Sequence, residues 1–448
     1  MTPQHRDLLT SILNAALDAV APDKAVHRHV RRENDMLHIG THVHDLNSYR
    51  HVYVVGAGKG AAPMAGALEH LLGDRITDGV VVVKYDHTQP LSRIRLREAA
   101  HPVPDAAGVA AAKEILELVA KAGPDDLVLC ALTGGASALT PAFVPGVTLD
   151  DMRTATSLLL QCGATIHEIN ALRKHMSIFG GGNLARTTAP AELVSLIISD
   201  VVGDDLDVIA SGPTTPDSST WAHCHDIVAR FGIRSSLPDP VWQRLEAGLA
   251  GHAPETPKPG DAAFARVRNH LVATNRQALE AAAHAARQHG YAPRILTDTM
   301  TGEARHRACE LVNHAKDTAT LLADGPCCLL AGGETTVTLT GNGLGGRNQE
   351  MALAAAIELA GCDHITMLCV GTDGTDGPTD AAGGFASGCT VADATACGLD
   401  PHIHLADNNA YPFLDKTGYL LRTGPTRTNV MDLAVLLVDN PSCMQGKS

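Results

Sequence analysis

Three times in this chain an apolar run ends in glycines and gives way to a helical or turn pattern. Residues 52–60 read VYVVGAGKG, 127–135 read LVLCALTGG, and 329–333 read LLAGG. A strand that stops at glycine and passes into a helix is the βα unit of a parallel sheet, whose ligands gather at the strand C-termini. Glycine lacks Cβ and lets the backbone approach a ligand, and the unpaired N–H groups of a helix start favour an anion. Strand and helix patterns alternate along the chain, so the expected fold class is α/β, with mainly parallel sheets in two domains.

The third stretch is the densest in signals. Glu334 follows the glycines, and the β-branched run Thr335–Thr338 reads as strand. Gly341-Asn342-Gly343-Leu344-Gly345-Gly346 then leads to Arg347, which opens a helix through Leu353 and Ile357. A forked guanidinium at such a start suits phosphate or carboxylate, with Asn348 beside it.

Composition narrows the partners. At 448 residues the chain has room for two or three domains, and 45% apolar content supports real cores. A net charge of −14 argues against nucleic acid, and it requires that any anion site be built from local Lys and Arg. Eleven cysteines without a CxxC pair suit reduced thiols better than disulfides or zinc. No apolar run approaches the roughly eighteen residues of a membrane span. A cytoplasmic protein with no membrane partner is the expectation. Residues 251–262, GHAPETPKPGDA, read as a linker between an N-terminal domain at 1–250 and a C-terminal domain at 263–448.

The remaining candidates fall at strand ends. Gly56, Gly58 and Lys59 form a G-x-G-x-x-A turn, and Gly134, Gly135 and Ser137 repeat its logic. About twenty residues past the first turn, where an NAD site carries a ribose-binding acid, the second strand ends in Lys84. His101 lies in a proline-framed turn before Asp105, which caps a helix, and Arg173-Lys174 precede the run Gly180-Gly181-Gly182. Asp200 and Asp204 follow the strand at 193–198, and Asp373 and Asp376 follow the strand at 365–370. Carboxylates at such ends can hold Mg²⁺ or orient a hydroxyl, so these four are the metal candidates.

In combination, GAGKG (56–60), EAAHPVPD (98–105), LTGGASAL (132–139), ALRKHMS (171–177), SDVVGDDLDVIASGPT (199–214), GGETTV (332–337), GGRNQE (345–350), GTDGTDGPTDAAGG (371–384) and TGPTRTN (423–429) resemble the glycerate 2-kinases with a C-terminal MOFRL domain, a class long labelled hydroxypyruvate reductases. The resemblance runs from about residue 8 to 438. It implies a Rossmann-like doubly wound N-terminal domain and a smaller α/β MOFRL region at about 326–440, with the active site in the cleft between domains. It also implies ATP-dependent phosphorylation of the 2-hydroxyl of D-glycerate to 2-phosphoglycerate, with Mg²⁺. Lys59, Arg347 and Asp200 are then the catalytic candidates. Gly56, Gly58, Gly134, Gly135, Ser137, Glu334 and Thr335 are expected at the nucleotide, and His101, Arg173, Lys174 and Asn348 at the substrate. A homodimer is the candidate assembly. The family pattern has Lys-Gly-Gly after the RKH segment, where this chain has Gly180-Gly181-Gly182. Three other readings stay open: an NAD(P)H-dependent hydroxypyruvate reductase, a kinase of another small hydroxy acid, and a non-catalytic nucleotide sensor.

Overall fold

The computed structural model of the chain describes residues 1–322 and 325–440. Residues 323–324 and 441–448, part of the expected C-terminal domain, lie outside the described residues. The chain divides into two compact units. The first takes Pro22–Ile198 and Asp205–Val272, and the second takes Met1–Ala21, Ser199–Asp204 and Ala273–Ser448. Among the described residues no helix is long and apolar enough to cross a membrane.

The first unit is built on six strands in the order Ile94–Ala99, Asp78–Lys84, His51–Ala57, Asp126–Leu132, Glu192–Ile198, Val267–Ala273. Pairings among the first five are parallel. Numbered by sequence the order is third, second, first, fourth, fifth, sixth, the doubly wound arrangement. Val52–Val55 and Leu127–Leu132 are buried throughout, as continuous apolar runs between helical layers should be. Asp105 accepts the Gly108 N–H at 2.9 Å and starts the helix Ala106–Val119, which lies on the two outer strands. Four helices, Leu149–Gln161, Ile166–His175, Trp221–Phe231 and Asp239–Leu249, close a separate core around Leu159, Leu172, Trp221 and Leu245. Two of them begin with reciprocal caps, Thr148 with Asp151 and Thr165 with Glu168. A three-stranded antiparallel meander, Val30–Glu33, Met36–Ile39 and His42–Asp45, was not foreseen. Its turns place Asn34 and Gly40 at positive φ, as tight hairpins require.

Residues 251–262 behave differently from the expected linker. They fall inside the first unit, and the chain passes between units at 21/22, 198/199, 204/205 and 272/273. Glu255 accepts the Trp221 N–H at 2.9 Å and meets His175 Nε2 at 3.0 Å. Thr256 donates its hydroxyl to Asp217 at 2.8 Å, and Lys258 donates to Thr256 at 2.7 Å. Polar side chains sew this proline-rich segment onto the helices, which composition alone does not reveal.

The second unit also holds a six-stranded sheet, ordered Ala292–Met300, Cys327–Gly333, Asp432–Val438, Ile365–Gly371, Gly383–Ser387, Leu420–Leu421. The first pair is parallel and the others antiparallel, against the expectation of mainly parallel sheets. The cause is the last long strand, Asp432–Val438. It inserts between two strands that precede it and runs against both. The run Thr335–Thr338, expected as strand, forms one isolated bridge, Thr336 with Glu303. The hydroxyls of Thr336 and Thr338 and the Thr338 N–H go to the Glu303 carboxylate instead.

Glu255→Ala should therefore cost on the order of 1–3 kcal/mol in urea denaturation, because it strands the buried Trp221 N–H and His175. A loss below about 0.5 kcal/mol is what a loosely attached linker would give.

Candidate functional site

In the first unit the strand order reverses between His51–Ala57 and Asp126–Leu132. Sheets of this kind hold ligands beyond the strand C-termini at that reversal. Both glycine turns leave the sheet there, and they bind each other. The Gly58 N–H donates to Val82 O, the Lys59 N–H to Gly134 O, and the Thr133 N–H to Ala57 O, each at 3.0 Å. The Gly60 N–H donates to Thr133 Oγ1 at 3.0 Å. A Cβ at Gly56 would lie 2.2 Å from Ala131 O, and one at Gly58 would lie 2.0 Å from Thr133 Oγ1. Gly58 also sits at φ +138°, where side chains are strained. These two glycines serve the neighbouring turn, and the N–H groups of 58–60 are already spent. The expected phosphate cradle at Gly56 and Gly58 is corrected accordingly.

The second turn gathers expected residues. Gly135, at φ +88°, starts the short helix Ala136–Leu139. A Cβ there would meet the His101 ring at 2.9 Å and Lys59 Cγ at 3.5 Å, so Lys59, His101 and Gly135 share one neighbourhood. Ser137 Oγ lies 2.8 Å from Ser211 Oγ, which also reaches Asn170 Oδ1 at 3.5 Å. Ser211 lies in the stretch 199–214 and is not among the site residues that the sequence singles out. It stands in a left-handed run, Ala210 at φ +55°, Ser211 at +58° and Gly212 at +58°. Strained non-glycine backbone of this sort concentrates at functional sites.

The adjacent cations Arg173 and Lys174 part ways. Lys174 is 4% exposed, and its ammonium pairs with Asp207 and, at 3.4 Å, with the fully buried Asp217. It holds the fold together and is not available to substrate, which corrects that expectation. Arg173 lies one turn after Asn170, on the same helix face. It is partly buried, with no hydrogen-bond or ion-pair partner among the described residues. Burial alone pushes its guanidinium below the ordinary range. A desolvated cation without a counter-ion is costly, so an anion brought to it is bound strongly.

In the second unit Arg347 opens the helix Arg347–Glu358. Its Nε and Nη2 grip Asp432 at 2.6 and 3.0 Å, and Nη1 meets Glu334 at 2.8 Å. Burial would lower this guanidinium, but Asp432, Glu334 and Asp376 carry it above its usual range. Asn348 donates Nδ2 to Asp432 at 3.0 Å and to Asp376 at 3.3 Å. Asp376 takes the helix-start N–H groups of Asn348 and Gln349 at 3.1 and 2.9 Å. The helix start foreseen for a ligand anion is thus capped by the chain's own carboxylate, and Asn348 is held in the same network. The glycines before it are packing positions too. A Cβ at Gly346 would lie 2.4 Å from Asp376 Cγ, and one at Gly341 would lie 2.3 Å from Asp407 Oδ1. Thr335 is buried, its hydroxyl unpartnered among the described residues.

The metal candidates do not form a ready cage. Among the described residues no group of three or more His, Cys, Asp or Glu is arranged to hold an ion. Asp376 is committed to its helix, and Asp373 Oδ1 accepts the N–H and hydroxyl of Thr375, both at 3.1 Å. Asp200 and Asp204 lie in Ser199–Asp204 of this unit, with Asp204 at φ +58°. Mg²⁺ ordinarily needs only one or two carboxylates besides phosphate oxygens, so a pair of acids is a sufficient protein donor set. Asp432 escaped sequence reasoning, because nothing near it marks an acid at a strand start as the partner of a distant arginine.

Asp376 holds its proton up to about 6, against an ordinary 3.8, because burial and then Asp432 oppose its charge while two N–H groups favour it. The folded protein binds this proton more tightly than the unfolded chain. The stability it contributes is complete below about pH 4 and is lost as pH rises through about 6. Against Asp376→Asn, wild type should lose on the order of 2 kcal/mol across that window in urea titrations. Parallel profiles would contradict it.

Comparison with known proteins gives this geometry a context. A model described as a domain of unknown function matches residues 8–246, and the MOFRL family model matches 327–432. A D-glycerate 2-kinase of Thermotoga maritima is 39% identical over 436 residues, covering 97% of this chain and 98% of that protein. A human glycerate kinase is 36% identical, over 95% of this chain and 92% of that protein. The crystal structure of glycerate kinase from Thermotoga maritima superposes with a TM-score of 0.85 at 39% identity, covering 98% of this chain and 100% of that one. The chain belongs to the glycerate 2-kinases of the MOFRL family, phosphotransferases that act on an alcohol group.

Proposed function

We propose that this protein transfers the γ-phosphoryl group of ATP to the 2-hydroxyl of D-glycerate, giving 2-phosphoglycerate and ADP. Similarity to a D-glycerate 2-kinase over nearly the whole chain, at 39% identity, supports the substrate. The observation within this chain that carries the reading is Arg173, a partly buried guanidinium without a hydrogen-bond or ion-pair partner among the described residues, one helical turn after the Asn170 that joins Ser211 and Ser137. Its fork suits the glycerate carboxylate bidentately. The 2-hydroxyl stands on the carbon next to that carboxylate, so anchoring one orients the other, while the 3-hydroxyl keeps an extra free rotation. That is the physical basis for phosphorylation at position 2.

Phosphoryl transfer asks the protein mainly for position and charge neutralisation. Lys59 and Arg347 supply the positive charge for phosphoryl oxygens, and the Thr133–Ser137 turn is the remaining backbone cradle. Mg²⁺ bound with the nucleotide would supply further neutralisation, held by Asp200 and Asp204. Lys84, at the end of Asp78–Lys84, stands where a reductase would need a ribose-binding acid, and this counts against the NAD(P)H reading.

An assay with D-glycerate, ATP and Mg²⁺, coupled through enolase without added mutase, should report 2-phosphoglycerate. Arg173→Met should lower kcat/KM for glycerate by roughly 30- to 150-fold, the loss of a charge-assisted bidentate contact. Its unfolding free energy without ligand should stay unchanged or rise. No enolase signal from wild type, together with NADH oxidation by hydroxypyruvate, would overturn the reading. Native kcat/KM in the variant would remove Arg173 from it.

A further inference from the structure

Arg347 is gripped by two acids of unequal character. Asp432 is 1% exposed and takes two of the guanidinium's nitrogens, so it cannot withdraw without stranding charge in the interior. Glu334 has a side chain 44% exposed and meets the third nitrogen, Nη1, at 2.8 Å. Its backbone is fixed, because Gly333 sits at φ +141° and the Glu334 N–H donates to Met300 O at 2.8 Å. The carboxylate above that anchor has water on one side. Arg347 itself keeps about a third of its side chain exposed, 34%.

We infer that Glu334 is an exchangeable counter-ion: an incoming phosphate-type anion takes Arg347 Nη1 by displacing the Glu334 carboxylate, while Asp432 holds the guanidinium in place. This rests on the proposed function only in treating Arg347 as an anion-binding residue. Without a ligand, Glu334 fills the anion's place and spares a largely desolvated guanidinium an open donor edge. With a ligand, it leaves for solvent. A half-exposed ion pair is weak, so the exchange carries a penalty of roughly two- to fivefold in anion affinity. Displacing Asp432 instead would be prohibitive. The device also selects by charge. A neutral group cannot replace the carboxylate, because it would leave both Arg347 and Glu334 less well paired than before.

This assignment differs in sign from a role for Glu334 as a nucleotide or metal ligand, which its position after the glycines first suggests. A ligand residue weakens binding when neutralised, whereas a competing counter-ion strengthens it.

The test is calorimetric titration of the full chain with inorganic phosphate at low ionic strength. Glu334→Gln should bind phosphate two- to fivefold more tightly than wild type, and the gain should vanish when Arg347→Lys is combined with it. Unchanged or weaker binding by Glu334→Gln, or no phosphate binding by either protein, would overturn the inference. So would a gain that persists in the Arg347→Lys background, since it would then be general electrostatics. The readout needs no turnover. Failure of the enolase-coupled assay with a positive phosphate result would sink the proposed substrate and leave the counter-ion standing.

Discussion

A single buried carboxylate, Asp432, governs the polar architecture of the second unit. It begins the strand that splits the sheet, and it takes both Arg347 and Asn348 from the first turn of the helix Arg347–Glu358. A guanidinium on a flexible stem would otherwise sample many directions. Two parallel N–H···O bonds to an acid on a central strand leave it one. Asp376 then completes the helix start by accepting two N–H groups, which favour its charge ahead of the nearby Arg347. Strand, helix and loop 371–380 are thus registered by charge as much as by the alanine-rich packing beneath them.

The first unit solves the same problem with backbone. Two glycine turns at the strand reversal interlock through three hydrogen bonds, and the missing Cβ atoms of Gly56 and Gly58 allow that contact. The turns become a rigid edge on which Lys59, His101 and Ser137 are displayed. Lys174, Asp207 and Asp217 form a charged staple behind it. In both units the groups that look most like ligand binders in isolation are consumed internally. The Arg173 guanidinium, by contrast, has no hydrogen-bond or ion-pair partner among the described residues.

Much of this was legible in the residues. The runs at 52–55 and 127–132 could only be buried strands, their glycines could only mark turns, and the cap Asp105 was readable by itself. What stayed hidden depended on partners distant in sequence. Arg173 and Lys174 are indistinguishable as neighbours in a helix, and only the positions of Asp207 and Asp217 decide which is spent. The glycines at 341–346 were correctly seen as sites of close approach, but the approaching group is the chain at 407–409 and at Asp376. The insertion of the strand Asp432–Val438 between two earlier strands, and with it the antiparallel sheet, was not visible in the residues. Local pattern specifies an element; pairing across more than sixty residues is set by the whole core.

The central claim is that side-chain charge, not the first glycine turn, recognises the ligand's anionic groups. A crystal structure with D-glycerate and a non-hydrolysable ATP analogue tests it most directly. The account predicts the glycerate carboxylate on the Arg173 guanidinium, with the N–H groups of Gly58, Lys59 and Gly60 still on Val82, Gly134 and Thr133. Phosphate oxygens seated on those three N–H groups, with Arg173 turned to solvent, would contradict it.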